Sequence, residues 1–181
     1  MREWIGYYED ILTSELSENI ALNSMGWKQS TYSNHKGQIK NSLNRVVMQE
    51  TYIRDNMKYY VDLLNATKDV VKLYKEKHPY MKYFLPNTCT DFRVNKYEEG
   101  GFMSEHADTI HHSHGQSYGF PQASVLFFLN EGYEGGEFIV ADTIYKPKRN
   151  SAIIFPSNFM FPHSVNKIIK GTRYSIITWL M

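Results

Sequence analysis

The residues best placed to do chemistry are His106-Ala107-Asp108 and, well downstream, His163. In an extended chain, positions i and i+2 point to one side, so His106 and Asp108 can offer an imidazole nitrogen and a carboxylate oxygen to the same point. A third donor must come from elsewhere in the fold. His163, between Pro162 and the start of a new strand pattern, is placed to close one face of an octahedron. Two imidazoles and a carboxylate leave three adjacent coordination positions open, an arrangement suited to Fe(II) that must hold an organic chelate and O₂ together. On its own an H-x-D pair is a weak signal, because His and Asp commonly satisfy polar needs at strand ends.

Arg173 strengthens the reading. It lies in Gly171-Thr-Arg-Tyr-Ser-Ile-Ile-Thr-Trp-Leu, where period-two alternation puts Arg173, Ser175, Ile177 and Trp179 on one face and Tyr174, Ile176, Thr178 and Leu180 on the other. A guanidinium on an otherwise apolar inward face requires an anion, and a dicarboxylate would supply one through bidentate, charge-assisted bonds. Upstream, Arg93, Asn95 and Tyr97 share a strand face that is either a polar outer surface or a wall of the site. His111, His112 and His114 crowd the loop after the H-x-D pair and read as solvated loop histidines rather than ligands. Gly135-Gly-Glu-Phe reads as a tight turn between strands.

These residues need a scaffold. Over residues 7–25, Tyr8, Leu12, Leu16 and Ile20 recur every four positions before Gly26, which predicts a helix. Met57, Tyr60, Leu64, Thr67, Val71 and Tyr74 predict a second helix ending at His78-Pro79. Between them, residues 27–50 read as a loop with one or two strands around Arg45-Val46-Val47-Met48. Beyond Pro79 the texture changes to short β-branched and aromatic runs at 92–97, 124–129, 137–140, 152–155, 164–169 and 173–180, separated by Gly, Pro and Asn. Helices first and strands afterwards, without helical patterns between them, argue for an antiparallel barrel or sandwich. The last strand is expected to be central, so that truncating it is harmful.

The bulk numbers bound the reading. With 181 residues the chain suits one domain: residues 1–80 as helical support and 81–181 as the β core carrying the site. A hydrophobic fraction of 42% with 22% charged residues fits a folded globular protein, and a formal charge of +1 supplies no general attraction for nucleic acid. Cys89 is the single cysteine, which excludes an intramolecular disulfide and fits a reducing, cytoplasmic location. No signal peptide pattern and no membrane-spanning apolar run is present, so no membrane partner is expected. The 15% aromatic content suits a sheet-rich core or an aromatic-lined cleft.

Taken in order, Tyr97-Glu-Glu-Gly-Gly-Phe-Met-Ser-Glu-His-Ala-Asp, Phe127-Phe-Leu-Asn, Gly135-Gly-Glu-Phe, Phe161-Pro-His and Gly171-Thr-Arg-Tyr-Ser resemble the 2-oxoglutarate-dependent oxygenases, and among them the prolyl hydroxylases. The resemblance implies a mainly β fold, a double-stranded β-helix (jelly-roll, cupin-like) with N-terminal helices. It implies His106, Asp108 and His163 as iron ligands, Arg173 on the distal carboxylate of 2-oxoglutarate, and Tyr97 beside the co-substrate or the iron. Phe128 stands where related enzymes place a tyrosine hydroxyl on that carboxylate, and Ser175 is expected to compensate. The implied cofactors are Fe(II), 2-oxoglutarate and O₂, with ascorbate in support. The implied reaction is hydroxylation of a prolyl residue in a peptide or protein, with release of succinate and CO₂. A free amino acid or small metabolite is the alternative substrate. A non-oxidative cupin-like module that holds a metal or sugar is the alternative class, and it has no use for Arg173. Nucleic-acid dealkylation is disfavoured, because the second arginine of that branch is replaced by Trp179.

Overall fold

The computed structural model describes residues 1–33, 39–40, 43–108 and 120–181. The N-terminal part runs β1 (Gly6–Tyr8), α1 (Ser14–Asn23), β2 (Lys28–Gln29), β3 (Tyr32–Ser33), β4 (Ile39–Lys40), β5 (Val46–Val47), β6 (Gln49–Ile53) and α2 (Tyr60–Lys77). There follow β7 (Phe92–Tyr97), β8 (Phe102–His106), β9 (Ala123–Phe128), β10 (Glu134–Gly135), β11 (Phe138–Val140) and β12 (Thr143–Tyr145). The chain closes with β13 (Ala152–Pro156), β14 (His163–Val165), β15 (Ile168–Lys170) and β16 (Arg173–Leu180).

Two antiparallel sheets carry the architecture. The larger has the order β1-β13-β9-β16-β7-β6-β2 and the smaller β12-β11-β14-β8-β5. Alternation along the large sheet separates two cores. Its outer face gives Phe92, Val94, Val125, Phe127, Ile154, Ile176 and Leu180 to a cluster with Leu63, Val70 and Tyr74 of α2. Its inner face gives Tyr97, Leu126, Phe128, Ile153, Phe155 and Ile177 to a second cluster with Val46, Phe138, Val140 and Val165 of the small sheet. Sheet packed on sheet, with helices behind the larger one, is the jelly-roll arrangement that was expected. As expected too, β16 is central, flanked by β9 and β7.

Several expectations are corrected. Residues 6–8 are strand, not helix: Tyr7 and Tyr8 pair with Ile153 and Ala152 at the edge of the large sheet. A ladder between distant segments outcompetes the four-residue spacing there, and α1 starts only after Thr13, whose Oγ1 accepts from Leu16 N–H at 3.1 Å. Gly26 does have a left-handed φ of 73°, but it lies beyond the end of α1 at Asn23 and does not cap it. Helix α2 begins at Tyr60, behind a left-handed Tyr59, so Met57 is an exposed turn residue. The 164–169 run divides between β14 and β15, because Asn166 N–H bonds Glu137 O and Ile168 N–H bonds Gly101 O, carrying the chain from one sheet to another. The first 80 residues do more than supply helices, since β1, β2 and β6 extend the large sheet and β5 the small one. Among the described residues no helix is long and apolar enough to cross a membrane.

Candidate functional site

Strand pairing brings the H-x-D motif to its distant histidine. His163 on β14 is the direct cross-strand partner of His106 on β8, and their ring centroids lie 4.3 Å apart. Asp108 follows two residues past His106. One donor atom from each of the three lies within 4.8 Å of the others. His106 Nε2 is 3.7 Å from Asp108 Oδ1, and His163 Nε2 is 3.6 Å from Asp108 Oδ2.

Each ring is oriented from behind. His106 Nδ1 lies 2.9 Å from Ser104 O and His163 Nδ1 3.2 Å from Phe161 O. Carbonyls only accept, so they place the ring proton on Nδ1 and leave the Nε2 lone pairs facing Asp108. Asp108 Oδ2 accepts from Ser124 Oγ, which also contacts Ser157 Oγ at 2.8 Å. Burial, aided by the neighbouring His163, pushes the His106 pKa down to about 4, so the ring is neutral near pH 7. Burial of Asp108 opposes its ionisation, but His163, His106 and the Ser124 hydroxyl outweigh this and hold its carboxyl below the usual value. A neutral His106 ring and an ionised Asp108 are the forms in which these two side chains bind a metal.

Arg173 is fully buried, with no exposed surface. Its guanidinium lies 5.1 Å from the Tyr97 ring centre and 5.3 Å from that of Phe128. Nη1 donates to Ser175 Oγ at 3.1 Å, while Nε and Nη2 have no hydrogen-bond partner among the described residues. Asn95 is also buried on this face, cross-strand from Ser175, and its Oδ1 is likewise unpartnered among them. Burial pushes the Tyr97 phenol up against the lowering pull of Arg173. Aromatic rings link the two halves of the site: Phe128 neighbours both the guanidinium and Phe138, and Phe138 lies 5.8 Å from His163.

Residues 92–181 match the 2OG-Fe(II) oxygenase superfamily. The C-terminal half of the chain belongs to that superfamily. A PKHD-type hydroxylase of Hyphomonas neptunium is 34% identical over 121 residues, which cover 61% of this chain and 52% of the relative. The chain spans about half the length of the curated relatives it matches. In solved structures the fold resembles a Pseudomonas putida prolyl-4-hydroxylase, with a TM-score of 0.70 at 16% identity, covering 98% of this chain and 91% of that one. A Trichoplax adhaerens prolyl hydroxylase in complex with a hypoxia inducible factor peptide fragment matches with the same TM-score at 15% identity, covering 99% of this chain and 84% of that one.

The structure gathers His106, Asp108 and His163 at one point and Arg173, Tyr97 and Ser175 at another. Phe128, without a hydroxyl, offers its ring face to the guanidinium. Arg93, Asn95 and Tyr97 line the inner face of β7 rather than an outer one. His111, His112 and His114 lie outside the described residues. Ser124, Ser157 and Gly136 escaped the sequence reading. Neither serine stands in a motif that marks it. Gly136 was read as a turn, yet a Cβ there would come within 2.4 Å of Ile168 Cδ1 and 3.2 Å of Arg173 Cδ, so its lack of a side chain clears the space beside the arginine.

Proposed function

We propose that the chain is an Fe(II)- and 2-oxoglutarate-dependent hydroxylase in which His106, Asp108 and His163 hold iron and Arg173, flanked by Ser175 and Tyr97, holds the distal carboxylate of 2-oxoglutarate. The observation that carries this is the buried Arg173, whose Nε and Nη2 lack partners among the described residues. An uncompensated buried cation costs on the order of several kcal/mol, and a dicarboxylate reaching this pocket offsets that cost with two parallel hydrogen bonds. A non-oxidative metal or sugar module has no use for it.

Bound Fe(II) supplies O₂ activation coupled to conversion of 2-oxoglutarate to succinate and CO₂, and hydroxylation of a C–H bond. The protein supplies position and protonation state. Ser104 and Phe161 carbonyls fix the rings, Ser124 fixes Asp108, and Arg173 fixes the depth of the co-substrate. Phe128, Phe138 and Phe155, all buried, keep bulk water from the space between the two halves. For the substrate we infer a prolyl residue in a peptide. That choice is supported by the names of the similar PKHD-type hydroxylases and by the folds shared with prolyl hydroxylases, one of them bound to a peptide.

The test is succinate release from 2-oxoglutarate by purified protein with Fe(II), ascorbate and O₂, with and without proline-containing peptides, and with Asp108→Ala as the blank. Peptide-stimulated succinate that is absent from the blank supports the whole reading. Metal-dependent succinate that peptides do not stimulate retains the oxygenase and rejects the prolyl substrate. Iron binding without any succinate rejects the oxygenase.

A further inference from the structure

The inner face of the large sheet carries a second arginine that the iron and co-substrate roles leave unused. Across the β7–β16 ladder, Arg173 pairs with Tyr97, Ser175 with Asn95 and Ile177 with Arg93. At about 3.3 Å per residue, Arg93 stands roughly 13 Å along the strand from Tyr97. Its guanidinium lies 5.1 Å from the Trp179 ring centre. Trp179 is in turn the rung partner of Ser124, the serine that holds Asp108. Arg93 therefore borders the metal end of the site, as Arg173 borders the co-substrate end.

Arg93 is anchored without being saturated. Glu50 on β6, the rung partner of Asn95, has Oε2 3.7 Å from Arg93 Nη1. Glu50 is itself fixed by Ser30 Oγ at 2.7 Å and Tyr52 OH at 3.4 Å. Arg93 Nε is buried with no hydrogen-bond partner among the described residues. A guanidinium laid against an indole and tethered at one edge is pre-organised, so little entropy is lost when a further acceptor binds.

We propose that Arg93 is a substrate-binding residue, taking a carbonyl or carboxylate oxygen of the substrate beside the iron and thereby setting which carbon is presented for hydroxylation. This rests on the oxygenase reading above. The competing structural role is to pack Trp179, meet Tyr52 across the β6–β7 rung and neutralise Glu50.

Two probes separate the sources of the oxygen: an end-capped proline-containing peptide, which offers only carbonyls, and free L-proline, which offers a carboxylate. Succinate release is measured as each is titrated into the protein with Fe(II), ascorbate and 2-oxoglutarate. Stimulation by the capped peptide assigns the carbonyl, and stimulation by proline alone assigns the carboxylate. In Arg93→Met, which keeps an apolar stem against Trp179, half-saturation by the stimulating probe rises roughly 10- to 100-fold, while that for 2-oxoglutarate moves by less than about 3-fold. Arg93→Lys recovers part of the loss. Glu50→Gln, which removes the ion pair but keeps the guanidinium, shifts the probe less than Arg93→Met does. An unchanged half-saturation in Arg93→Met, equal shifts in Arg93→Met and Glu50→Gln, or failure of both probes to stimulate a succinate-forming parent protein overturns the assignment. A parent protein that forms no succinate under any of these conditions instead overturns the oxygenase reading on which the assignment rests.

Discussion

Arg173 is wholly buried and His106 partly enclosed, each against its electrostatic preference, and the consequences run in opposite directions. Arg173 has two unpartnered nitrogens in an aromatic cage, so replacing it by an apolar residue of similar length relieves a desolvation cost in the ligand-free protein. Arg173→Met is therefore expected to hold or raise the urea midpoint without 2-oxoglutarate, while raising the half-saturation for 2-oxoglutarate roughly 30-fold or more. A lower midpoint together with an unchanged half-saturation would show a purely structural arginine. For His106 the folded pKa of about 4 lies below the ordinary 6.5. Between these values the unfolded chain binds a proton that the folded, metal-free chain does not, so stability is full above 6.5 and is lost as pH falls toward 4. Urea midpoints in the presence of a chelator should fall from pH 7 to pH 5, and His106→Gln should flatten that slope. Equal slopes in both proteins would remove His106 as the cause.

At the scale of elements, the turn after β10 decides how Arg173 sits. Gly136 has a φ of 65°, a region that L side chains rarely adopt, and it lies against both Ile168 and Arg173. Gly136→Ala should lower stability by roughly 1–3 kcal/mol through strain and overpacking. It should also weaken 2-oxoglutarate binding, because the new methyl group displaces the arginine stem. Stability lost without any change in half-saturation for 2-oxoglutarate would confine the glycine to the turn. Elements also differed in how far local pattern announced them. Strands β7 and β16, long and alternating, were legible to the residue; β8, which ends in His106, was not, because Phe102-Met-Ser-Glu-His has no apolar period and extends only by pairing with β5 and β14. The segment that became β1 carried a helical spacing, and it was the open edge of β13 that drew it into a sheet.

For the molecule as a whole, β16 is the element on which both cores depend. Its Ile176 and Leu180 face the helices, and its Arg173, Ser175 and Ile177 face the site. Deleting residues 176–181 should therefore abolish cooperative unfolding, as measured by circular dichroism against urea, and not merely lower the midpoint. A truncated chain that still unfolds cooperatively would show that β9 and β7 can close on each other. The sequence by itself determined the chemistry of the donors, which side chains of β7 and of β16 share a face, and the strand-rich texture beyond Pro79. These are consequences of residue type and of the fixed period of an extended backbone. Only the tertiary structure decided that His163 pairs with His106, that Ser124 and Ser157 stand behind Asp108, and that Arg93 meets Trp179 and Glu50. Those contacts join residues distant in the chain through strand pairings whose register is set by two opposed cores, and no local pattern encodes which distant strands will meet.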